Sequence, residues 1–168
     1  MKYLAIAIIL LQCFMCSAQM GGSKLKDKIY YGPGFGINFN RGIFNGSLSP
    51  FIGYKITERY SAGITGTIQY LADTFNKVSN TNYGGGVFNR FILTEKAFLN
   101  AEYEYLIVTS GAFRRGYSSL PVGAGFVQPL GGPAKFNAIA MYNVLHDNVG
   151  NSPYPSPWIL RAGISFGF

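Results

Sequence analysis

The chain has 168 residues and a formal net charge of +7, with aromatic residues at 16% and charged residues at only 12%. A soluble globular domain carries roughly twice that charged fraction, so the composition disfavours an ordinary soluble enzyme and is typical of a membrane protein. The basic residues do not gather in a motif interleaved with stacking aromatics, so we expect no nucleic-acid partner.

Residues 1–18 have the pattern of a cleaved signal peptide. Lys2 supplies the basic start, residues 3–15 form a short apolar run, and Cys16-Ser17-Ala18 offers small residues before a cleavage site. That run is shorter than the roughly 20 residues a spanning helix needs. We therefore expect export, a mature chain from Gln19 with no cysteine, and a polar N-terminal linker over residues 19–28.

Period-two alternation of apolar with polar or small side chains predicts β-strands after the linker. The predicted strands are residues 29–40, 47–56, 60–71, 83–93, 97–108, 119–130, 135–145 and 158–168. Gly32, Gly34 and Gly36 fall on the inward face of the first strand, as a narrow barrel requires. The facing of the sixth and seventh strands is left open by the pattern, and Asn89 falls on the apolar face of the fourth.

The connections between these strands alternate in length. Tight turns are predicted near residues 58, 95 and 132, and longer loops near residues 44, 77, 113 and 151. This alternation predicts an all-β fold, a transmembrane up-and-down antiparallel β-barrel of eight strands spanning residues 29–168. An even number of strands places both termini on one side, which we expect to be the periplasm.

Five charged side chains fall on predicted inward faces: Lys55, Arg90, Glu102, Glu104 and Arg161. Opposite charges in a closed lumen of low dielectric constant are expected to pair and hydrogen-bond. We interpret the set as a structural network, because an eight-stranded barrel leaves room for little more than side chains. The alternative is acid–base chemistry or an ion path. However, two carboxylates on one strand do not approach a substrate from opposite sides.

The single histidine, His146, does not supply a metal site or a triad. It has no cysteine partner in the mature chain, and its neighbour Asp147 is too close in sequence to hold the orienting geometry. We therefore predict no catalytic residue, no cofactor and no metal.

The final eight residues, Arg161 to Phe168, match the sorting signal of outer-membrane β-barrels. Arg161, Gly163, Phe166 and Phe168 carry the match: a polar residue, a glycine two positions later, and two aromatics at the end. With a leader ending in Ser-Ala-Gln, the chain resembles the small eight-stranded outer-membrane barrels of Bacteroidetes.

The resemblance implies a Gram-negative outer membrane, with periplasmic chaperones and the barrel assembly machinery acting during biogenesis. It also implies contact with outer-membrane lipid and lipopolysaccharide, and we expect a monomer. Lys77, Arg114 and Arg115 in the predicted outer loops suit either lipopolysaccharide phosphates or plain solvation at an anionic surface. The resemblance does not imply one activity.

The leading hypothesis is a non-enzymatic outer-membrane barrel with an envelope-structural or surface-interaction role. The alternative is a narrow conduit or binding barrel for small or hydrophobic molecules. A soluble barrel of lipocalin type is a third hypothesis; it would place apolar side chains inside and Arg90, Glu102 and Glu104 in solvent.

Overall fold

The structure is a computed structural model that describes residues 26–40, 43–73, 78–110, 113–146 and 154–167. The predicted signal peptide, most of the predicted linker and Phe168 lie outside the described residues. Among the described residues, no helix has both the length and the apolar character needed to cross a membrane.

The described residues form an all-β fold, a closed antiparallel barrel of eight strands. The strands are β1 (Ile29–Gly32 and Gly34–Asn40), β2 (Ile43–Leu48 and Phe51–Lys55), β3 (Tyr60–Asp73), β4 (Val78–Ile92), β5 (Ala97–Ser110), β6 (Phe113–Ser119 and Pro121–Gly131), β7 (Ala134–Asn143) and β8 (Trp158–Phe166). A short 3-10 turn, Lys26–Lys28, precedes β1.

The seam between the first and last strands closes the barrel. β8 pairs with β1 from Leu160 opposite Ile37 to Gly163 opposite Gly34. A further pair, Tyr31 opposite Phe166, extends the contact. Every other strand pairs with its neighbours in the chain, so the predicted eight-stranded up-and-down order is confirmed.

Proline interrupts the first two strands without opening the wall. Pro33 separates the two parts of β1, and Ser49-Pro50 separates the two parts of β2, because proline has no amide hydrogen to donate to the ladder. The breaks lie side by side. The Gly34 amide donates to the Ser49 carbonyl at 3.0 Å, and the Ser49 amide donates to the Gly34 carbonyl at 2.6 Å.

Side chains alternate between the outer surface and the lumen as the pattern predicts. Large apolar side chains are exposed on the outer surface of every strand, among them Tyr31, Phe35, Ile37, Ile52, Ile64, Ile68, Val87, Leu99, Phe126 and Leu160. The lumen holds buried polar side chains, among them Ser61, Thr65, Thr67, Gln69, Asn82, Asn100, Asn137 and Ser165. Asn89 lies on the outer surface, where it accepts a hydrogen bond from the Tyr60 hydroxyl at 2.5 Å.

The structure decides the facing of the sixth and seventh strands. Val127 on β6 and Met141 on β7 point inward and are almost fully buried, whereas Phe126 and Tyr142 point outward. The pattern was ambiguous because the inward positions of these two strands also carry apolar side chains.

The expectation of longer loops is wrong for three of the four connections at one end of the barrel. β2 begins at Ile43, β4 at Val78 and β6 at Phe113, several residues before the predicted starts. The added segments pair through polar residues, as in Leu71 opposite Asn80 and Thr109 opposite Arg114. Backbone hydrogen bonds extend these hairpins although their side chains no longer alternate in polarity, which is why periodicity missed them.

Candidate functional site: a charge network in the lumen

The centre of the lumen is organised around Arg161 on β8. Glu102 and Glu104, two positions apart on β5, both point inward, and β6 and β7 separate them from Arg161 along the wall. Nη1 of Arg161 donates to both carboxylate oxygens of Glu102, at 2.8 and 2.9 Å, and Nη2 donates to Oε1 of Glu104 at 3.3 Å. The planar guanidinium suits such a paired contact, so one cation is shared by two buried carboxylates.

Tyr154 completes this network from the connection between β7 and β8. Its ring is buried against Leu106, Met141 and Ile159. Its hydroxyl donates to Oε2 of Glu104 and lies 3.4 Å from Nη2 of Arg161. Burial, together with the negative charge of Glu104, holds the pKa of the Tyr154 hydroxyl well above its ordinary value, so the hydroxyl stays protonated and remains a donor.

Glu104 is the most heavily bonded carboxylate of the network. Thr67 Oγ1 on β3 donates to its Oε1 at 2.5 Å, in addition to the contacts with Arg161 and Tyr154. Its side chain is fully buried. A buried carboxylate requires this many partners, because an ionised group without them carries a large desolvation cost.

Arg90 on β4 lies among aromatic rings. Its guanidinium carbon is 4.2 Å from the ring centroid of Phe98 and 5.6 Å from those of Tyr30 and Phe88, which is cation–π geometry. Inward glycines make the space for these rings: a Cβ at Gly125 would lie 2.2 Å from the Phe98 ring. The cation that pairs with both glutamates is Arg161. It lies on β8, which is not adjacent to β5.

The structure does not bring Lys55 to the other predicted network residues. It ends β2 and is only partly buried, and its Nζ donates to the Asp27 carbonyl oxygen at 3.3 Å. With Lys135 it lines the opening of the lumen at the end where β2 and β3 connect. Lys55 therefore belongs to the barrel rim, and the central network comprises Glu102, Glu104, Arg161 and Tyr154, with Arg90 next to it.

Little space remains between the charged groups at the centre of the lumen. The cavity between Arg90 and Arg161 has a volume of about 30 Å³ and is also lined by Asn100, Glu102 and Asn137. That is room for about one water molecule. The arrangement fixes charges in place, and in the part of the chain that the structure describes it does not leave a chamber for a substrate beside them.

The residues of the predicted sorting signal take different environments. Arg161 is in the network, and Gly163 is buried so close to β1 that a Cβ would lie 2.3 Å from the Pro33 carbonyl oxygen. Phe166 is on the outer surface, with its ring 6.0 Å from that of Tyr31. Phe168 lies outside the described residues.

Sequence reasoning missed Tyr154 and Ile159. Tyr154 lies in the predicted loop before the last strand, a polar segment rich in Asn and Pro in which nothing marks a buried residue. In the last predicted strand, Ile159 is the one large apolar residue among alternate positions that otherwise hold Arg161, Gly163, Ser165 and Gly167. In the structure it points inward and packs with Tyr154. That single break was the signal that an apolar side chain enters the lumen at this level.

The described residues also bear on the possibility of a metal site or a catalytic histidine. Within the described ranges, no three His, Cys, Asp or Glu side chains gather closely enough to hold a metal ion. His146 is half-buried and its backbone amide donates to the Asn143 carbonyl at 3.1 Å, while Asp147 lies outside the described residues.

No protein-family model, curated protein or solved structure matches this chain, so a functional proposal rests on geometry and sequence.

Proposed function

We propose that this chain is a non-enzymatic outer-membrane β-barrel with an envelope-structural or surface-interaction role. The observation that carries the proposal is the inverted polarity of the barrel. Ile37 and Ile64 on the outer surface are 64% and 60% exposed, whereas Glu104 in the lumen is 0% exposed. In water, so extensive an apolar surface is an aggregation hazard; in a bilayer it is the required surface.

The polarity also argues against the soluble barrel of lipocalin type. That hypothesis requires apolar groups inside and Arg90, Glu102 and Glu104 in solvent. All three are at least 95% buried in the lumen, with exposed fractions of 4%, 4% and 0%, and far more large apolar side chains are exposed on the outer surface than are buried in the lumen.

The filled lumen supports a structural role over a conduit. Arg161 and Tyr154 reach the glutamates from β8 and from the connection before it, and a cavity of about 30 Å³ remains between Arg90 and Arg161. A hydrated ion needs a continuous wider path. We therefore expect no conductance above that of an empty bilayer when the refolded protein is added to a planar membrane; stable single-channel steps would favour the conduit instead.

The rest of the proposal concerns origin and partners. It holds that residues 1–18 are removed on export from a Gram-negative cytoplasm, that both termini face the periplasm, and that chaperones and the barrel assembly machinery insert the chain. Outer-membrane lipid and lipopolysaccharide would surround it as a monomer. The match of Arg161, Gly163, Phe166 and Phe168 to the sorting signal supports this part.

Membrane fractionation combined with gel migration of boiled and unboiled samples tests the proposal. A folded membrane barrel fractionates with the outer membrane and migrates differently when unboiled. A soluble fraction with identical migration in both samples would end the membrane proposal. Deleting Phe168 should lower the amount in the membrane, with Phe168→Tyr as the control that keeps an aromatic end; equal levels for the deletion and the control would remove the sorting-signal claim.

A further inference from the structure

A vestibule opens at the end of the barrel where tight turns connect β2 to β3 and β4 to β5. Its volume is about 520 Å³, within the range of roughly 300–1,000 Å³ that small-molecule sites occupy. The cavity of about 30 Å³ between Arg90 and Arg161 shares no lining residue with it. The vestibule is therefore a second, larger space inside the barrel wall, separate from the charge network.

The floor of the vestibule is apolar. Phe98 on β5 and Val127 on β6 line it and are almost fully buried, and Ile92 lies opposite Phe98 in the β4–β5 pairing. Phe98 also packs against Arg90, whose guanidinium carbon is 4.2 Å from the ring centroid. The Phe98 ring thus lies between the vestibule and the charge network, so an occupant of the vestibule rests on hydrocarbon.

Two lysines flank this floor. Lys55 ends β2 and Lys135 lies near the start of β7, and both line the vestibule and are partly buried. Although β1 and β8 separate their strands along the wall, their ammonium groups are close enough to repel each other. Two like charges held close together over an apolar surface disfavour one another, and an anion placed between them would relieve that repulsion.

The hydrogen bonding of Lys55 leaves donors for such an anion. Its Nζ donates to the Asp27 carbonyl oxygen at 3.3 Å, which uses one of the three donors of an ammonium group. A carboxylate accepts several hydrogen bonds, and a bond between two charged groups is stronger than one between neutral groups. The wall therefore offers the contacts that a carboxylate requires.

The acidic residues of the vestibule do not favour a cation in its place. Glu58 and Glu95 lie in two different turns and are exposed, so water and salt screen their charges more than those of the lysines. Within the described ranges, no three His, Cys, Asp or Glu side chains gather to hold a metal ion. The charge nearest the apolar floor is therefore positive.

We propose that the vestibule binds a small amphiphilic carboxylate, with its charged group between Lys55 and Lys135 and its apolar body on Phe98 and Val127. A purely inorganic anion would leave the apolar floor in water, and a purely apolar molecule would leave the lysines without an anion. This inference goes beyond the proposed function, because an envelope-structural barrel needs no ligand. In the proposed orientation the vestibule opens to the periplasm, beside the two termini.

The test uses 2-naphthoate, a water-soluble carboxylate on an apolar ring system. Isothermal titration calorimetry follows its binding to the full barrel refolded in maltoside micelles, after subtraction of the heat measured with empty micelles. The 2-naphthylmethylammonium ion carries the same rings and the opposite charge. We expect saturable binding of about one naphthoate per protein and no saturable binding of the cation. No saturable binding of naphthoate, or equally tight binding of both probes, overturns the proposal.

Three lysine variants make the result specific. Lys55→Gln and Lys135→Gln each remove one flanking charge and should weaken naphthoate binding by about tenfold or more. Lys96→Gln is the matched control, because Lys96 lies in the exposed β4–β5 turn beside Glu95 and does not line the vestibule. It removes the same charge from the same end and should change the dissociation constant by less than about twofold. Equal losses in all three variants would indicate general attraction of anions to a basic rim and would overturn the site.

The two proposals fail in different ways. A shift in migration on boiling shows that a variant has folded, and membrane fractionation reports the location; neither depends on a ligand. If the lysine variants do not fold, the comparison of the anionic and cationic probes on the unaltered protein still decides. A membrane barrel that binds neither probe retains the proposed function and loses the vestibule site. A folded barrel that remains soluble and binds naphthoate alone retains the site and loses the membrane.

Discussion

Arg161 on β8 spans the lumen to Glu102 on β5 and donates to both of its carboxylate oxygens, at 2.8 and 2.9 Å, across 59 positions of sequence. Nη2 of the same guanidinium contacts Glu104, so one side chain connects the last strand to two positions of the fifth. The contact acts as an internal strut, because every partner is buried and screening by solvent is small.

Replacing Arg161 tests that strut. Arg161→Met keeps the bulk of the side chain but leaves Glu102 and Glu104 buried without their shared cation. We expect the free energy of unfolding to fall by about 3–5 kcal/mol, as for other broken buried ion pairs. Urea unfolding of the protein refolded into vesicles measures it.

Two comparisons make this result interpretable. Arg59→Met, in the exposed turn between β2 and β3, removes the same charge at the surface and should change the stability by less than about 0.5 kcal/mol. Adding Glu102→Gln and Glu104→Gln to Arg161→Met should restore much of the loss, because the uncompensated charges are gone. A loss for Arg161→Met no larger than that for Arg59→Met would contradict the strut.

Tyr154 should matter through its hydroxyl as well as its ring. Tyr154→Phe removes the donor to Glu104, and we expect a loss of about 1–3 kcal/mol from the unsatisfied carboxylate oxygen. Tyr154→Ala also empties the space beside Leu106 and Met141, so its loss should be larger, about 3–5 kcal/mol. Urea unfolding of the two variants in vesicles gives both values.

Tyr103→Phe is the matched control for the hydroxyl. Tyr103 is exposed, and its hydroxyl shares a 3.0 Å hydrogen bond with Ser118 Oγ on the outer surface. Its removal should change stability by no more than about 0.5 kcal/mol. Equal effects of Tyr154→Phe and Tyr103→Phe would mean that the Glu104 contact does not stabilise the barrel.

Gly125 should tolerate no side chain. A Cβ there would lie 2.2 Å from the Phe98 ring that packs on Arg90, so Gly125→Ala forces the ring to move and should cost about 1–3 kcal/mol. Gly66→Ala is the control, since its nearest neighbour would be Pro50 Cγ at 3.9 Å. Thermal or urea unfolding gives the stability of the two variants. Similar losses of stability would show that the Phe98 ring has room to move aside.

The Ile64→Arg variant tests whether the outer surface of the barrel faces lipid or water. Ile64 is 60% exposed on the outer surface of β3. In a bilayer, a charge there should lower stability by about 2–4 kcal/mol, whereas in water the same change would be close to neutral or improve solubility. Glu58→Gln in the exposed turn raises the net charge by the same one unit and serves as the control. An unaffected or more soluble Ile64→Arg protein would contradict the membrane proposal.

Periodicity predicted the wall of the barrel well and its interior less well. The alternation of Ile64 and Ile68 with Thr65 and Thr67 determines facing, because a strand has only two faces, and strand number and order followed from it. The pairing of Arg161 with Glu102 depends on which positions face one another across the lumen. That relation is set by strand register and tilt, which no local pattern encodes.

The residues that fill the lumen were harder still to predict. Tyr154 is positioned by the path of a connection, and its environment arises only when β5, β7 and β8 surround it. The aromatic rings around Arg90 likewise come from four strands: Tyr30 from β1, Phe51 from β2, Phe88 from β4 and Phe98 from β5. Each is unremarkable in its own segment. The strand extensions at Ile43, Val78 and Phe113 were not predicted because their sequences do not alternate in polarity.

The seam between β1 and β8 also constrains how the barrel folds. Hairpins such as β3–β4 join residues close in sequence and can form early. By contrast, β8 pairs with β1 only after the strands between them have been ordered, and closing so long a loop is slow because it costs chain entropy. Until then both strands present open edges, and Arg161 has not reached Glu102. Ring closure therefore removes the last two edges and neutralises the inner carboxylates in one late, cooperative step, and this step is expected to set the folding rate.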